Sequence, residues 1–240
     1  MTDTLQISLQ SMGVTDAAAG VLRNAVSAIR SLRPGEPLVA EGDSPTGLHI
    51  VLSGVLKSCR LLEGGSAQTL ALYSARDWLG VQAMALRREP ATIASVSASR
   101  LATVSATELK RLMEDHPAIM EALWRATARE AAILQEWILG MGRRTATSHI
   151  AHLLCEMAVR LRIAGRARGN VYDFPLTQGE LADAAGISPV HVNRVLQALR
   201  AEGLIQLNRN QLRIEDWDRL ARAGDFDPGY LGLEDIRGAA

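Results

Sequence analysis

Only two of the 240 residues are cysteines, Cys59 and Cys155, and they are far apart. That excludes a disulfide framework and a four-thiolate metal site. Lysine is as scarce: Lys57 and Lys110 are the only two, and arginine supplies the rest of the positive charge. Arginine keeps its charge and binds oxyanions bidentately. No segment approaches the ~20 uninterrupted apolar residues of a membrane span, and no signal-peptide pattern opens the chain. No membrane partner is expected, and the expected location is the cytoplasm.

Net charge is also missing: the formal balance is zero. The distribution matters more than the sum. Between Arg143 and Arg213 ten arginines face five acids, a surplus of +5. The tail beyond is acidic, with Glu215, Asp216, Asp218, Asp225, Asp227, Glu234 and Asp235. What is abundant is apolar content, 48%, enough for a sizeable core and for two domains.

The most informative stretch is QGELADAAGISPVHVNRVLQALR, residues 178–200. Ala182 is small enough for two helices to touch, and Gly186 suits a left-handed turn. Ser188 can cap the next helix, with Pro189 in its first turn. Leu181, Ile187, Val192, Val195, Leu196 and Leu199 give a shared core at helical spacing. This is a helix-turn-helix, which presents its second helix to the major groove of DNA. With those positions facing inward, Pro189, Val190, His191, Asn193, Arg194 and Gln197 lie near the outer face.

Around it the texture changes along the chain. Thr15 can cap a first helix carrying Ala18, Val21, Leu22, Val26 and Ile29. From Leu32 short apolar runs (HIVL, VLKSCRLL, TLALY, TIASVS, RLATVSA) alternate with turns such as Pro34-Gly35 and Gly64-Gly65. They predict a β-roll, a barrel or jelly-roll sandwich. A short helix over 108–116 precedes a long one over 117–142. There Met120, Trp124, Thr127, Ala131, Leu134, Ile138 and Met141 follow a heptad seam. A second stripe of Ile119, Leu123, Ala126, Ile133 and Trp137 runs beside it. Two stripes suggest that one packs on the barrel and the other on a partner copy, although a single wide core face has the same pattern. Gly140-Met141-Gly142 reads as a hinge, followed by a helix over 143–163, a GRARGN loop and a strand over 172–176. Residues 205–207 and 212–214 alternate around 208–211 as a hairpin wing. A last helix starts near Glu215, and Phe226, Tyr230 and Leu231 are expected to fold back on the surface.

This α+β order resembles the CRP/FNR superfamily of bacterial transcription regulators: an N-terminal β-roll, a long dimerisation helix and a C-terminal winged helix-turn-helix. The resemblance covers roughly residues 15–225 and is most specific in PGEPLVAEGD (34–43), HIVLSGVLKSCRL (49–61) and the helix-turn-helix with its wing. It implies a sensor domain over 1–116, a dimerisation helix and hinge over 117–142, and a DNA-binding domain over 143–240. It also implies a homodimer, a palindromic double-stranded DNA site and RNA polymerase as a partner. By the same resemblance Arg194 takes the place of the arginine that reads guanine, and Val190 that of the base-reading glutamate. Valine can meet a thymine methyl but accepts no hydrogen bond. Asn193 is expected at an adjacent base, and Thr177, Ser188, His191 and Arg209 at phosphates.

The sensor site departs from the family pattern. Cyclic-nucleotide-binding members start the phosphate loop with Gly-Glu and end it with Arg-Ser or Arg-Thr. Here Gly80 is followed by Val81, and Glu89-Pro90 stands where the arginine pair belongs. A carboxylate repels a phosphate. Cyclic AMP is therefore not the expected ligand, though Gly80, Val81, Gln82, Arg87, Arg88, Glu89 and Thr127 remain the pocket candidates. Arg87 and Arg88 also suit an ordinary solvated turn. An iron–sulfur cluster needs about four ligands, more than two cysteines supply. His49 lies in a strand, where a histidine is more often structural than a haem ligand. His149, His152, Cys155 and Glu156 share a helix but diverge around it, so no metal is expected. The ligand stays unidentified. Two alternatives are a constitutive DNA binder whose roll is only a scaffold, and an enzyme using the roll pocket, for which no nucleophile motif or Gly-rich phosphate loop is present.

Overall fold

The computed structural model describes residues 2–11, 14–208 and 210–232. It separates into two compact units, one of residues 1–60 and 71–131, the other of 61–70 and 132–240.

The first unit holds helices α1 (Thr2–Ser11), α2 (Asp16–Asn24), α3 (Val81–Leu86) and α4 (Ala106–Asp115) and the first part of α5 (Pro117–Arg143). Its strands are β1 (Ala28–Leu32), β2 (Pro37–Val39), β3 (Gly47–Ser53), β4 (Val55–Leu61), β5 (Ala67–Ser74), β6 (Trp78–Leu79), β7 (Thr92–Ser95) and β8 (Ser99–Ser105). They form two four-stranded sheets, ordered β1-β8-β3-β6 and β2-β7-β4-β5. Strand alternation sorts the core into two layers. Val51, Leu101, Leu56, Tyr73 and Ile93 meet between the sheets. Leu48, Ile50, Leu52, Ala102 and Val104 point the other way, onto helices α1, α2, α4 and α5. β3 is buried on both faces, which is why it reads as an unbroken apolar run. His49 sits within it, 1% exposed, with its two ring nitrogens bonded to Thr46 Oγ1 (2.8 Å) and Thr103 Oγ1 (3.0 Å). The histidine is structural, and burial lowers its pKa to about 4.

The expected first helix is shorter than its pattern. Thr15 caps it, accepting from the Ala18 N–H, but it stops at Asn24. Ile29 belongs to β1, paired with Ala102, and is exposed. Helix α1 was not foreseen. It buries Leu5 and Leu9, and its Ser8 hydroxyl accepts from Trp78 Nε1 (3.1 Å) while donating to the Arg76 carbonyl (3.0 Å).

The second unit is built around α6 (Ala146–Ile163), buried continuously from His149 to Leu161. A helix buried on all sides is a hub rather than a surface element. It starts at a Thr145 cap, three residues later than expected. Around it lie α7 (Gln178–Ala185), α8 (Pro189–Ala201), α9 (Trp217–Gly224), a 3-10 turn (Pro228–Leu231) and an antiparallel sheet ordered β11-β12-β10-β9. Its strands are β9 (Ala167–Arg168), β10 (Val171–Asp173), β11 (Ile205–Asn208) and β12 (Gln211–Ile214). The GRARGN segment is thus partly a strand, not wholly a loop.

The stretch expected as a hinge is helical in the structure. α5 stays helical through Gly140, Met141 and Gly142. Gly140 is there for close approach: a Cβ would fall 2.6 Å from the His149 ring. The tail does fold back. Leu231 is buried, Phe226 packs edge-on against His152, and the Tyr230 hydroxyl lies 2.9 Å from His152 Nε2.

Candidate nucleic-acid interface

The local chemistry of the helix-turn-helix explains its shape. Thr177 and Glu180 close a capping box: Thr177 N–H (2.8 Å) and Oγ1–H (3.0 Å) donate to Glu180 Oε2, and Glu180 N–H donates to Thr177 Oγ1 (3.2 Å). Gly186 ends α7 in the left-handed region, at φ 67°. Ser188 caps α8, accepting from the His191 N–H at 3.3 Å, with Pro189 in the first turn. Leu181, Ala182, Val192, Val195, Leu196 and Leu199 are buried between the helices, and Ile187 is half-buried.

That packing leaves Ser188, Pro189, Val190, His191, Arg194 and Gln197 exposed, with the Val190 side chain 64% accessible. Arg194 has no hydrogen-bond or ion-pair partner among the described residues. Thr177 is exposed too, but its hydroxyl proton is committed to Glu180. Arg209 lies outside the described residues. Asn193 differs from expectation: it is half-buried, and its Nδ2 donates to Gln178 Oε1 at 3.0 Å. Sequence reasoning missed Gln178, since nothing local marks a residue fifteen positions away as a partner.

Counting arginines overstated the basic face, because several are paired within the chain. Arg160 is 6% exposed and paired to Glu156 at 2.8 Å. Arg144 bonds Glu136 (2.7 Å), Arg166 bonds Asp173 (3.1 Å) and Arg200 donates to the Leu207 carbonyl (3.1 Å). Arg162 stacks over Tyr172, 5.4 Å from the ring centre, and bonds its hydroxyl. Of the nine described arginines between 143 and 213, Arg143, Arg168, Arg194 and Arg213 are exposed.

The histidines of α6 are likewise occupied. His152 Nδ1 donates to the Gly224 carbonyl (3.1 Å), and its ring stacks on Tyr230. Burial and the nearby Arg144 hold its pKa below the usual value. Cys155 is buried, which raises its thiol pKa to about 12. No cluster among the described residues could hold a metal ion.

In the first unit the pocket candidates are scattered in role. Gly80 (φ 90°) opens α3, Val81 packs on the helix-side core, and Arg87 (φ 60°) ends α3 in an exposed turn beside exposed Arg88. Glu89 is 2% exposed. Its main chain holds the loop, N–H to the Asp43 carbonyl (2.8 Å) and C=O to the Gly42 N–H (2.9 Å). Burial, then Asp43, raises its carboxyl pKa. Thr127 donates to the Leu123 carbonyl of its own helix at 2.9 Å. The sequence gave no signal for Glu130, which accepts from Tyr73 Oη (2.6 Å) and Gln82 Nε2 (3.0 Å), next to an Arg129–Asp77 ion pair (2.7 Å).

Two family models match this chain, a cyclic nucleotide-binding domain over residues 29–116 and a Crp-like helix-turn-helix domain over 148–223. The chain belongs to the CRP/FNR superfamily. It is a regulator of that type, with a DNA-binding helix-turn-helix and a nucleotide-binding-like domain. It is 29% identical over 197 residues to a probable transcriptional activator of Rhizobium leguminosarum bv. viciae, covering 80% of each chain. It is 28% identical over 211 residues to the transcriptional activator protein FnrL of Cereibacter sphaeroides, covering 84% of this chain and 83% of that one. Its fold matches the solved FixK2 of Bradyrhizobium japonicum with a TM-score of 0.76 at 22% identity, over 82% of this chain and 96% of that one. No helix among the described residues is long and apolar enough to cross a membrane.

Proposed function

We propose that this CRP/FNR regulator acts as a homodimer on a two-fold-symmetric DNA site, in the cytoplasm and alongside RNA polymerase. Residues 1–116 form the sensor domain, 117–142 the dimerisation helix, and 143–240 the DNA-binding domain. The observation that carries the reading is Arg194, exposed and without a partner among the described residues on a helix whose other face is buried. An arginine so placed can give guanine O6 and N7 two hydrogen bonds. Val190 supplies an apolar contact, Pro189, His191 and Gln197 lie beside them, and Ser188 and Arg209 contact phosphate. Thr177 does so only by turning its hydroxyl from Glu180 to the phosphate, because both its O–H and its N–H are donated to that carboxylate.

Dimerisation rests on the seam of α5. Met120, Trp124, Ile138 and Met141 are 45%, 74%, 66% and 45% exposed, while Ile119, Leu123 and Trp137 of the neighbouring stripe are buried. Thr127 and Leu134 are half-buried and Ala131 is exposed. A tryptophan left this open forgoes roughly 4 kcal/mol of burial, which a second copy can recover.

The regulator does not sense cyclic AMP in the family's familiar way. By the resemblance Val81 and buried Glu89 stand at the ribose and phosphate positions, where valine offers no hydrogen bond and a carboxyl group replaces the arginine that would neutralise a phosphate. A second reading has its own support. Glu130 already ties α5 to Tyr73 and Gln82 by the chain's own side chains, an arrangement that suits a ligand-independent regulator. A thermal-shift screen with cyclic nucleotides, cyclic dinucleotides, haem and acyl metabolites separates the two. The test of the main reading is selection from random-sequence DNA followed by footprinting. Arg194→Ala is expected to abolish the site-specific footprint, costing about 1–3 kcal/mol per half-site, while salt-sensitive background binding persists. An unaltered footprint would remove Arg194 from its role.

A further inference from the structure

We infer that Gln68 is a positioning residue for the reading head: with Met141 it fixes the helix-turn-helix against the end of the α5 seam, and so sets the half-site spacing that a dimer accepts. The inference rests on the proposed homodimer and its two-fold-symmetric site.

The contact is first a helix cap. The last four carbonyls of a helix have no partner within it. In α7 the Ala182 carbonyl accepts from the Gly186 and Ile187 N–H groups. The next one, of Asp183, accepts from Gln68 Nε2 at 2.8 Å, a side chain 115 positions earlier in the sequence. Gln68 is the second residue of β5 and is half-buried. The same Nε2 donates to the Thr69 carbonyl at 2.9 Å. Both of these oxygens can only accept, so a flipped amide would set oxygen against oxygen twice. The negative end of the helix dipole also favours a donor there.

Met141 closes the junction. Its sulfur lies 3.9 Å from Gln68 Nε2. A Cβ at Gly186 would lie 3.6 Å from both Gln68 Oε1 and the Met141 sulfur. The turn of the helix-turn-helix, the start of β5 and the seam end of α5 therefore meet at one point, all within the second unit. Pro189, Val190, His191, Arg194 and Gln197 stay exposed while this contact is made, so it holds the head without covering its reading face. A held head presents α8 at one distance from the seam. Adding one base pair between half-sites shifts one of them by about 3.4 Å and turns it by about 35°, which a held head cannot follow.

The test is binding of the full-length chain to its selected symmetric site and to versions with one base pair added or removed at the centre. The wild-type chain is expected to lose at least about tenfold in affinity at either altered spacing. Gln68→Met keeps length but has no donor, and Gln68→Glu keeps shape but sets a carboxylate against the Asp183 carbonyl. Both variants are first checked by thermal melting and light scattering. On the unaltered site each is expected to bind about fivefold more weakly per half-site, the worth of one hydrogen bond in each copy. At the altered spacings each is expected to lose less than about threefold further, because a loosened head can follow the half-site. A purely stabilising role would lower affinity equally at every spacing, and that result overturns the inference. So does a wild-type spacing preference kept by both variants. A wild-type chain indifferent to spacing would overturn the two-fold reading first, and the inference with it.

Discussion

The Tyr230 hydroxyl donates to Glu156 Oε2 at 3.0 Å, joining the chain's tail to the centre of a buried helix 74 residues away. Glu156 is fully buried, and it also accepts from Trp137 Nε1 (3.0 Å) and Arg160 (2.8 Å). A buried carboxylate is tolerated only when its lone pairs are used. Three donors from α5, α6 and the tail supply them, which turns a liability into a tie between elements. Burial and Glu156 in turn hold the Tyr230 phenol well above its usual pKa.

Tyr230→Phe should therefore destabilise the unit of residues 132–240 by about 1–3 kcal/mol, since it removes one donor from a buried charge. Urea denaturation followed by tryptophan fluorescence reads this. An unchanged midpoint would mean that the tail contributes nothing to that unit.

Acid should weaken both units. His49 and His149 are buried, and burial lowers the pKa of each to about 4 from an ordinary 6.5. The folded chain keeps them neutral while the unfolded chain protonates below pH 6.5, so stability is lost as pH falls through the window from 6.5 to 4. Between neutral pH and pH 5 each costs about 2 kcal/mol. Denaturation midpoints across that range should fall, and His49→Gln should flatten the slope for the first unit. Equal slopes in the two proteins would count against the assignment.

The two glycines near the end of α5 should respond oppositely to alanine. At Gly140 an added Cβ meets the His149 ring at 2.6 Å, whereas at Gly142 nothing lies within 4 Å. Gly142→Ala should stabilise by about 0.5–1 kcal/mol through helix propensity. Gly140→Ala should destabilise despite the same gain, because His149 is buried and its Nε2 has no hydrogen-bond partner among the described residues. Melting temperatures of the two variants decide it; a rise in both would disprove the packing role.

Trp124→Asp combined with Ile138→Asp should give a monomer in light scattering and lower DNA affinity by well over tenfold, since a charge on each side of the seam must be desolvated to pair. Both side chains are exposed in the single chain, so folding of each unit should be unaffected. A dimer that survives would place the interface elsewhere.

Much of the fold was legible because local rules acted alone. The Thr15, Thr177 and Ser188 caps, the Gly186 turn and the wing hairpin depend on neighbours within a few residues. Helix α1 escaped notice because its apolar positions make sense only once β3 and Trp78 lie beneath them. Ile29 was misplaced because its helical spacing was coincidental, and pairing with Ala102 of β8 overrode it. The presumed Gly-Met-Gly hinge had the composition of a break but the packing of a contact.

The sequence by itself determined the order of elements, the face that α8 presents, and that valine and glutamate stand at positions 81 and 89, where the family resemblance leads one to expect a ribose-binding glutamate and a phosphate-binding arginine. Those follow from periodicity, capping and residue type. Only the tertiary structure decided which arginines remain for DNA, that Asn193 is held by Gln178, and that Glu130 is already engaged by Tyr73 and Gln82. Each depends on groups from 4 to 57 positions apart reaching hydrogen-bond distance, as Arg160 with Glu156 and Tyr73 with Glu130 show at the extremes. Local pattern holds no record of such distances, because burial and pairing are set by the packed whole.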